Sequence, residues 1–269
     1  MEINRNNIFE IVNKASLQPD KDYGQNFLVE PEVSKKIVQA LNINDGDKVI
    51  EVGPGLGSLT HFLSNQNIEV TAIDIDRRMI NFLSIVYQES NIKIVENDIR
   101  KENVSTYTKV LGNLPYNITT ETIQYFLLNA KVAQRMVFMI QSETFAHFYD
   151  VAGKEYGPTS VLIHLLGKIN KLFTVKAGSF YPAPKCSSVV FSIDIDTSKD
   201  RDKAILAFKV AKQLFLNRRK TILNNLTNYL KNKETAMGVC DALNINPLSR
   251  PEQLSPEIYL AISDYLSVK

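Results

Sequence analysis

Two short stretches of the sequence bring together residues suited to chemistry on a small ligand. The first is Glu51-Val-Gly-Pro-Gly-Leu-Gly57, where glycines let the backbone turn sharply and approach a ligand closely. Its glycines fall at 53, 55 and 57 with none at 58, which breaks the G-x-G-x-x-G register of a dinucleotide loop. Pro54 also removes one of the amide donors that would cradle a pyrophosphate. A ligand without phosphates suits this loop better. Asp74 follows Gly53 by twenty-one residues, the position from which a carboxylate accepts hydrogen bonds from both hydroxyls of a ribose. Asp98 ends the next β-branched run and can accept from the amino group of an adenine. Any one of these acids alone reads as a solvated loop residue or a helix cap. Together at successive strand ends, Glu51, Gly53, Gly55, Asp74 and Asp98 describe a site for an adenosine without phosphates. S-adenosylmethionine, released as S-adenosylhomocysteine, fits that description.

The second stretch is Asn113-Leu-Pro-Tyr116. The exocyclic amine of adenine is a poor nucleophile because its lone pair is delocalised into the ring, so a catalyst must hold that nitrogen and favour its pyramidal form. The Asn113 side-chain oxygen and the Leu114 carbonyl can each accept one N–H, directing the lone pair at an incoming methyl group. Pro115 stiffens the turn, and Tyr116 offers a face on which a base can stack. No general base is needed before transfer, because the cationic product sheds its proton readily. In isolation the same tetrapeptide would be an Asn-Pro turn with a core tyrosine; an adenosyl pocket at the same sheet edge favours the chemical reading. The three histidines, at 61, 147 and 164, show no ligand pairing, and Cys186 and Cys240 form no C-x-x-C. Neither a metal nor a disulfide framework is expected, and a reducing cytoplasm suits the chain.

These residues need a sheet to hold them. Short β-branched runs at 48–52, 69–74, 92–98, 109–113 and 135–141 alternate with helical patterns over 58–63, 77–88 and 119–128, which predicts a mostly parallel sheet with right-handed crossovers. A helix over 158–166, with Pro158 at its first position, precedes two consecutive strands at 171–177 and 187–195, an antiparallel edge. After a polar stretch at 194–202 the periodicity is helical, through AILAFKVAKQLF, TILNNLTNYL and SPEIYLAISDYL. The expected architecture is α/β: a nucleotide-binding sheet over 1–197 and a small all-helical domain over 198–269.

Composition bounds what else the chain can be. With 269 residues, 44% hydrophobic and 22% charged, it can bury a full core and is neither disordered nor collagenous. Residues 1–12 include Glu2, Arg5 and Glu10 and lack the apolar core of a signal peptide, and no later run reaches membrane-spanning length. A soluble, cytoplasmic protein is expected. The formal charge of +2 conceals a division: Lys199 to the end holds twelve basic and seven acidic residues, net +5, leaving −3 for the rest. That asymmetry suits a polyanion partner as well as it suits a solvated helical surface.

Over nearly its whole length the chain resembles the KsgA/Dim1 family of ribosomal RNA adenine N6,N6-dimethyltransferases. The resemblance is carried by Tyr23-Gly-Gln-Asn-Phe-Leu28, by Glu51 to Thr60 (E-x-G-P-G-x-G-x-L-T), and by Asn113-Leu-Pro-Tyr-Asn-Ile118. Ser179-Phe-Tyr-Pro-Ala-Pro-Lys185 with Ser187-Ser-Val-Val190, and the basic FLNRRKTILNNL of Phe215 to Leu226, complete it. It implies cofactor contacts from Asn26, Leu28, Gly53, Asp74, Asp98 and Asn113. It also implies target-base contacts from Asn113, Leu114 and Tyr116, with Phe180 as a second aromatic wall. Arg218, Arg219 and Lys220 would then position phosphates. The resemblance further implies a Rossmann-like class I S-adenosylmethionine-dependent methyltransferase domain over 1–197, with 1–46 as its N-terminal cofactor and RNA segment, and a helical RNA-binding domain over 198–269. The implied activity is dimethylation of two adjacent adenosines in the 3′-terminal hairpin of small-subunit (16S) rRNA, by a monomer acting on an immature small subunit. Three departures stand out: Ser142 and His147 in place of basic residues, Pro158 in the segment Tyr156 to Ser160, and Cys186 for a valine. Two alternatives share these features: a large-subunit rRNA adenine methyltransferase conferring macrolide resistance, and a non-catalytic RNA-binding factor on the same fold. Leu114, the FLNRRKT segment and the long helical tail favour the first reading over the former; the intact Asn113 and acidic set favour it over the latter.

Overall fold

The computed structural model describes residues 1–20, 24–115 and 118–267. Among the described residues there are nine strands: β1 (Phe27–Leu28), β2 (Lys48–Val52), β3 (Glu69–Asp74), β4 (Ile92–Glu96), β5 (Lys109–Asn113), β6 (Arg135–Gln141), β7 (Gly167–Val175), β8 (Phe180–Tyr181) and β9 (Ser188–Ile195). Seven of them form one sheet in the order β4-β3-β2-β5-β6-β9-β7. The pairs β2/β3, β3/β4, β2/β5 and β5/β6 are parallel, and β9 runs antiparallel to β6. The mostly parallel sheet with an antiparallel end is therefore as expected, and its order reverses at β2, where a crevice opens beyond the carboxyl ends of the strands.

The central strands are apolar on both faces because helices cover both. Val49, Ile50, Val110, Leu111, Met136 and Val137 are fully buried, and Leu28, Ile37, Leu63, Leu83, Val137 and Phe180 share one core cluster. Of the helices that cover the sheet, Arg77–Val86 starts at Asp76, whose carboxylate caps the Arg78 amide, and Thr119–Asn129 follows β5 directly. A second cluster joins Ile8 and Val12, on the helix Ile8–Lys14, to Phe27, Leu56 and Met79.

By the density of its contacts the chain forms two compact units, residues 1–142 with 170–194, and 143–169 with 195–269. The expected division after residue 197 lies near the last of these crossings. The helix Pro158–Leu166, which the alternating pattern attached to the sheet, groups with the C-terminal helices instead. All seven buried residues of that helix are packed away from water, so it serves as core for the helical unit. There Arg201–Phe215, Ile222–Leu230 and Pro256–Ser267 match the helical periodicity, and a further helix, Lys233–Ala242, joins them. Tyr156 and Tyr259 are fully buried, and the Phe215 ring stacks on Tyr259 with centroids 5.7 Å apart. Among the described residues no helix is long and apolar enough to cross a membrane.

Candidate active site

The loop after β2 is held open by glycine geometry. The Gly53 amide donates to the Ile73 carbonyl at 2.9 Å, extending the β2/β3 ladder by one bond before the chain turns away. Gly53, Gly55 and Gly57 all have positive φ, +64°, +55° and +90°, a region that side chains disfavour. A Cβ on Gly55 would press on the Phe27 ring at 3.2 Å, whereas on Gly53 it would meet only the Asn113 carbonyl, at 3.8 Å, and fill open space. That space is a cavity of about 310 Å³ walled by the loop and by the ends of β3 and β5, at the small end of the range for ligand pockets.

Three carboxyl groups face it, each in a different state. Glu51 is 1% exposed and accepts a hydrogen bond from Thr60 Oγ1 at 2.7 Å; burial pushes its pKa up to about 8, so it is mostly protonated at neutral pH. Burial also raises Asp74, to about 6, against the pull of backbone amides at Asp76, Gly55 and Ile75; the Asp76 amide donates to its Oδ1 at 2.9 Å. Asp98 behaves oppositely. The Arg100 guanidinium holds it below the usual carboxylate range, with Nε on Oδ1 at 3.0 Å and Nη2 on Oδ2 at 2.7 Å. The Arg100 amide also donates to Oδ1 at 3.0 Å, so Asp98 caps the turn at 99–101 and a further donor would share lone pairs that Arg100 already uses.

The segment before β2 closes the cavity from the other side. β1 pairs antiparallel with β8, placing Leu28 opposite Phe180 and Phe27 opposite Tyr181. Two side chains tie its backbone to the loop after β2 and to the end of β5: Ser58 Oγ donates to the Leu28 carbonyl at 2.6 Å, and Asn113 Nδ2 to the Asn26 carbonyl at 3.3 Å. Asn26, Leu28 and Phe180 thereby line the same cavity as Gly53, Gly55 and Asp74.

At the end of β5 the chain turns into Leu114 and Pro115. Asn113 spends its amide nitrogen on Asn26, which presents Oδ1 as the acceptor. The Leu114 amide donates to the Met139 carbonyl at 3.0 Å, and its side chain is 2% exposed, fixing the backbone. Among the described residues none donates to the Leu114 carbonyl. The Pro115 carbonyl, by contrast, is taken by Thr119 Oγ1 at 2.9 Å, at the start of the following helix. Tyr116 lies outside the described residues, as does Tyr23.

Beside the anticipated residues, Gln25, Ser58, Ile75, Asn97, Arg100 and Ser188 also line the cavity. Ile75 had a readable signal, since it directly follows Asp74; the others converge from separate elements and carried none. Arg218, Arg219 and Lys220 belong to the helical unit. There Arg218 is committed internally, donating to the Gly153 and Tyr156 carbonyls at 3.2 and 3.4 Å and lying 3.7 Å from Glu252. Arg219 and Lys220 are exposed. Arg218 and Arg219 flank an open concavity of about 850 Å³ that also includes His147, Lys154 and Arg250.

The donor set discriminates among ligands. Among the described residues that line it, the cavity has three carboxyl groups and a single arginine, which is paired with one of them. A phosphate would meet like charge there, whereas a ligand with hydroxyls, an amino group and positive charge would find acceptors and compensation. S-adenosylmethionine meets those requirements, and the open space beside Gly53 accommodates a ligand that a Cβ would exclude.

Comparison with known proteins agrees with this chemistry. Residues 16–267 match the model of the family described as "Ribosomal RNA adenine dimethylase". A "Ribosomal RNA small subunit methyltransferase A" from Malacoplasma penetrans is 33% identical to the chain, the match covering 95% of this chain and 94% of that protein. Among solved structures, a dimethyladenosine transferase from Plasmodium falciparum superposes with a TM-score of 0.76 at 24% identity, covering 90% of this chain and 98% of that one. A 23S rRNA methyltransferase, ErmE, superposes with a TM-score of 0.69 at 20% identity, covering 90% of this chain and all of that one. At those identities the structural likeness speaks for the fold.

Proposed function

The chain belongs to the ribosomal RNA adenine dimethylase family, and from that premise we propose that the cavity at the β2/β5 sheet edge is where it dimethylates N6 of two adjacent adenosines in the 3′-terminal hairpin of small-subunit rRNA. The enzyme is an S-adenosylmethionine-dependent rRNA (adenine-N6,N6)-dimethyltransferase. It works as a cytoplasmic monomer on an immature small ribosomal subunit. The observation that carries this reading is the convergence on one cavity of an adenosyl-type acid set and the Asn113–Leu114 acceptor pair.

When bound, S-adenosylmethionine supplies a methyl group on a positively charged sulfur, so what the chain must contribute is orientation. Asp74 takes the ribose hydroxyls, and Asp98, held rigid by Arg100, takes the adenine amine. Gly53 and Gly55 let the loop come close, while Asn26 and Leu28 close the far side. Glu51, being protonated at neutral pH, adds no second negative charge beside Asp74. Asn113 Oδ1 and the Leu114 carbonyl each accept one N–H of the flipped target adenine, which favours a pyramidal nitrogen with its lone pair turned away from both acceptors. Phe180 and Tyr116 sandwich the base, and exposed Arg219 and Lys220 attract the RNA backbone.

The test is to incubate the protein with methyl-labelled S-adenosylmethionine and either small or large subunits from cells lacking the modification, then map the labelled adenines. Label on two adjacent adenosines near the small-subunit 3′ end is expected. Label confined to large-subunit RNA, or none, would overturn the reading.

A further inference from the structure

Asp76 is 3% exposed and takes no part in the chemistry above, yet its carboxylate is saturated with donors from two distant parts of the chain. Arg78 supplies three: its amide and Nε reach Oδ1 at 3.0 Å, and Nη2 reaches Oδ2 at 2.7 Å. The fourth comes from fifty-one residues away, where Gln25 Nε2 donates to Oδ2 at 2.8 Å. The Gln25 amide cannot swivel without loss, because its Oε1 accepts the Asp20 amide at 2.9 Å. On its other side, the Asp76 backbone N–H donates to Asp74 Oδ1 at 2.9 Å. An unbroken chain of hydrogen bonds therefore runs from Gln25, beside Asn26, through Asp76 to the carboxylate assigned to the ribose.

We infer that Gln25 and Asp76 form a latch that positions the two halves of the cofactor site against each other, an inference that rests on the cofactor assignment made above. The local capping bonds explain why an aspartate stands at 76, since an N-cap with an arginine two residues on satisfies itself. They do not explain Gln25, whose bond joins the segment before β1 to the start of the helix Arg77–Val86, a gap that Arg78 also bridges through Asp20 at 3.6 Å. The β1 segment touches the cavity through Gly24 to Leu28, and β1 has only two ladder residues, paired to an equally short β8. Pairing of that length does not fix a strand by itself; the side-chain ties from Ser58, Asn113 and Asp76 supply what is missing. Of the three, the Gln25 bond is charge-assisted and reaches the β3 end. Gln25 and Asp76 are thus positioning residues: they touch the wall of the site and set where Asn26, Leu28 and Asp74 stand.

Removing a hydrogen bond to a charged group weakens what it holds by about tenfold or more. Gln25→Met keeps the side-chain length while removing both the donor to Asp76 and the acceptor of the Asp20 amide, so its melting temperature is measured alongside. Binding of S-adenosylhomocysteine by calorimetry should weaken about tenfold, KM for S-adenosylmethionine should rise in parallel, and turnover at saturating cofactor should fall no more than about twofold. Asp76→Asn combined with Gln25→Met should cost less than the two single effects together, because both break one interaction. Product-dependent protection of the 24–28 amides in hydrogen exchange should drop in Gln25→Met while that of the β3 amides stays. Wild-type affinity in Gln25→Met, or lost turnover at unchanged KM, would overturn the latch alone. A wild-type protein that binds no S-adenosylhomocysteine would overturn the cofactor assignment and the latch together.

Discussion

Glu51 and Asp74 show how burial sets the charge state of a carboxyl group. Both are raised by burial, Glu51 to about 8 and Asp74 to about 6. In the folded protein without ligand they hold protons that the unfolded chain releases near pH 4. Their contribution to stability is therefore full below that pH and is lost as pH rises through about 6 and then about 8. Thermal melts of the ligand-free protein should show its melting temperature falling between pH 6 and pH 8.5, and Glu51→Gln should flatten the upper part of that fall by on the order of a few kcal/mol. An equal slope in Glu51→Gln would contradict the buried protonated carboxyl. A ligand with positive charge favours ionised Asp74, so S-adenosylmethionine affinity should increase from pH 5 to pH 7. Asp98, held low by Arg100, should contribute nothing in that window.

Among the elements, the turn after β5 is the most tightly constrained. A Cβ on Gly112 would lie 2.9 Å from Leu114 Cδ2 and 3.0 Å from the Val52 carbonyl, so Gly112→Ala must displace the Leu114 side chain and press the end of β5 away from β2. Overpacking of this kind costs about 1–3 kcal/mol, or roughly 2–10 °C in melting temperature for a protein of this size. Turnover should fall further than stability implies, because the Leu114 carbonyl moves with its residue; turnover within twofold of wild type would separate that carbonyl from the chemistry. The strands that carry this turn and the glycine loop were readable in the sequence, because β-branched runs such as KVIEV and RMVFMIQ coincide with buried two-sided strands β2 and β6. Asp74 and Asn113 could be placed at their strand ends for the same reason, whereas Asp98, expected to end its strand, lies two residues beyond β4 and caps the turn at 99–101. β1 and β8 could not be read, since two residues hold no periodicity. Asn26, Leu28 and Phe180 were reached through motif likeness alone, and Gln25, Ser58 and Arg100 only through the three-dimensional arrangement. The helix Lys233–Ala242, with Gly238 and small residues in its sequence, gave little helical contrast. Helix Pro158–Leu166 is buried nearly all round, so its pattern could not tell which unit it packs into.

For the whole molecule, the charge total of +2 joins a −3 portion before Lys199 to a +5 portion after it. The acidic portion contains the cavity, where negative charge suits a cationic ligand, and the basic portion contains Arg219 and Lys220 on its surface. Arg218, engaged with Gly153, Tyr156 and Glu252, contributes to the fold of the helical unit. Arg219→Ala and Lys220→Ala should each weaken binding to small subunits, reduce the slope of log affinity against log salt by about one, and leave the melting temperature unchanged. Arg218→Ala should instead lower the melting temperature, and a purely electrostatic effect there would show its internal bonds to be dispensable.

The most direct test of the account concerns Asn113, which lines the cavity at the end of β5 with its amide anchored on Asn26 and is proposed to hold the target base. Single-turnover methylation of unmodified small subunits should be measured for wild type and Asn113→Ala, alongside S-adenosylhomocysteine affinity. The account predicts a loss of at least about a hundredfold in the methylation rate, with product affinity weakened no more than about tenfold. A methylation rate within a few-fold of wild type would contradict it.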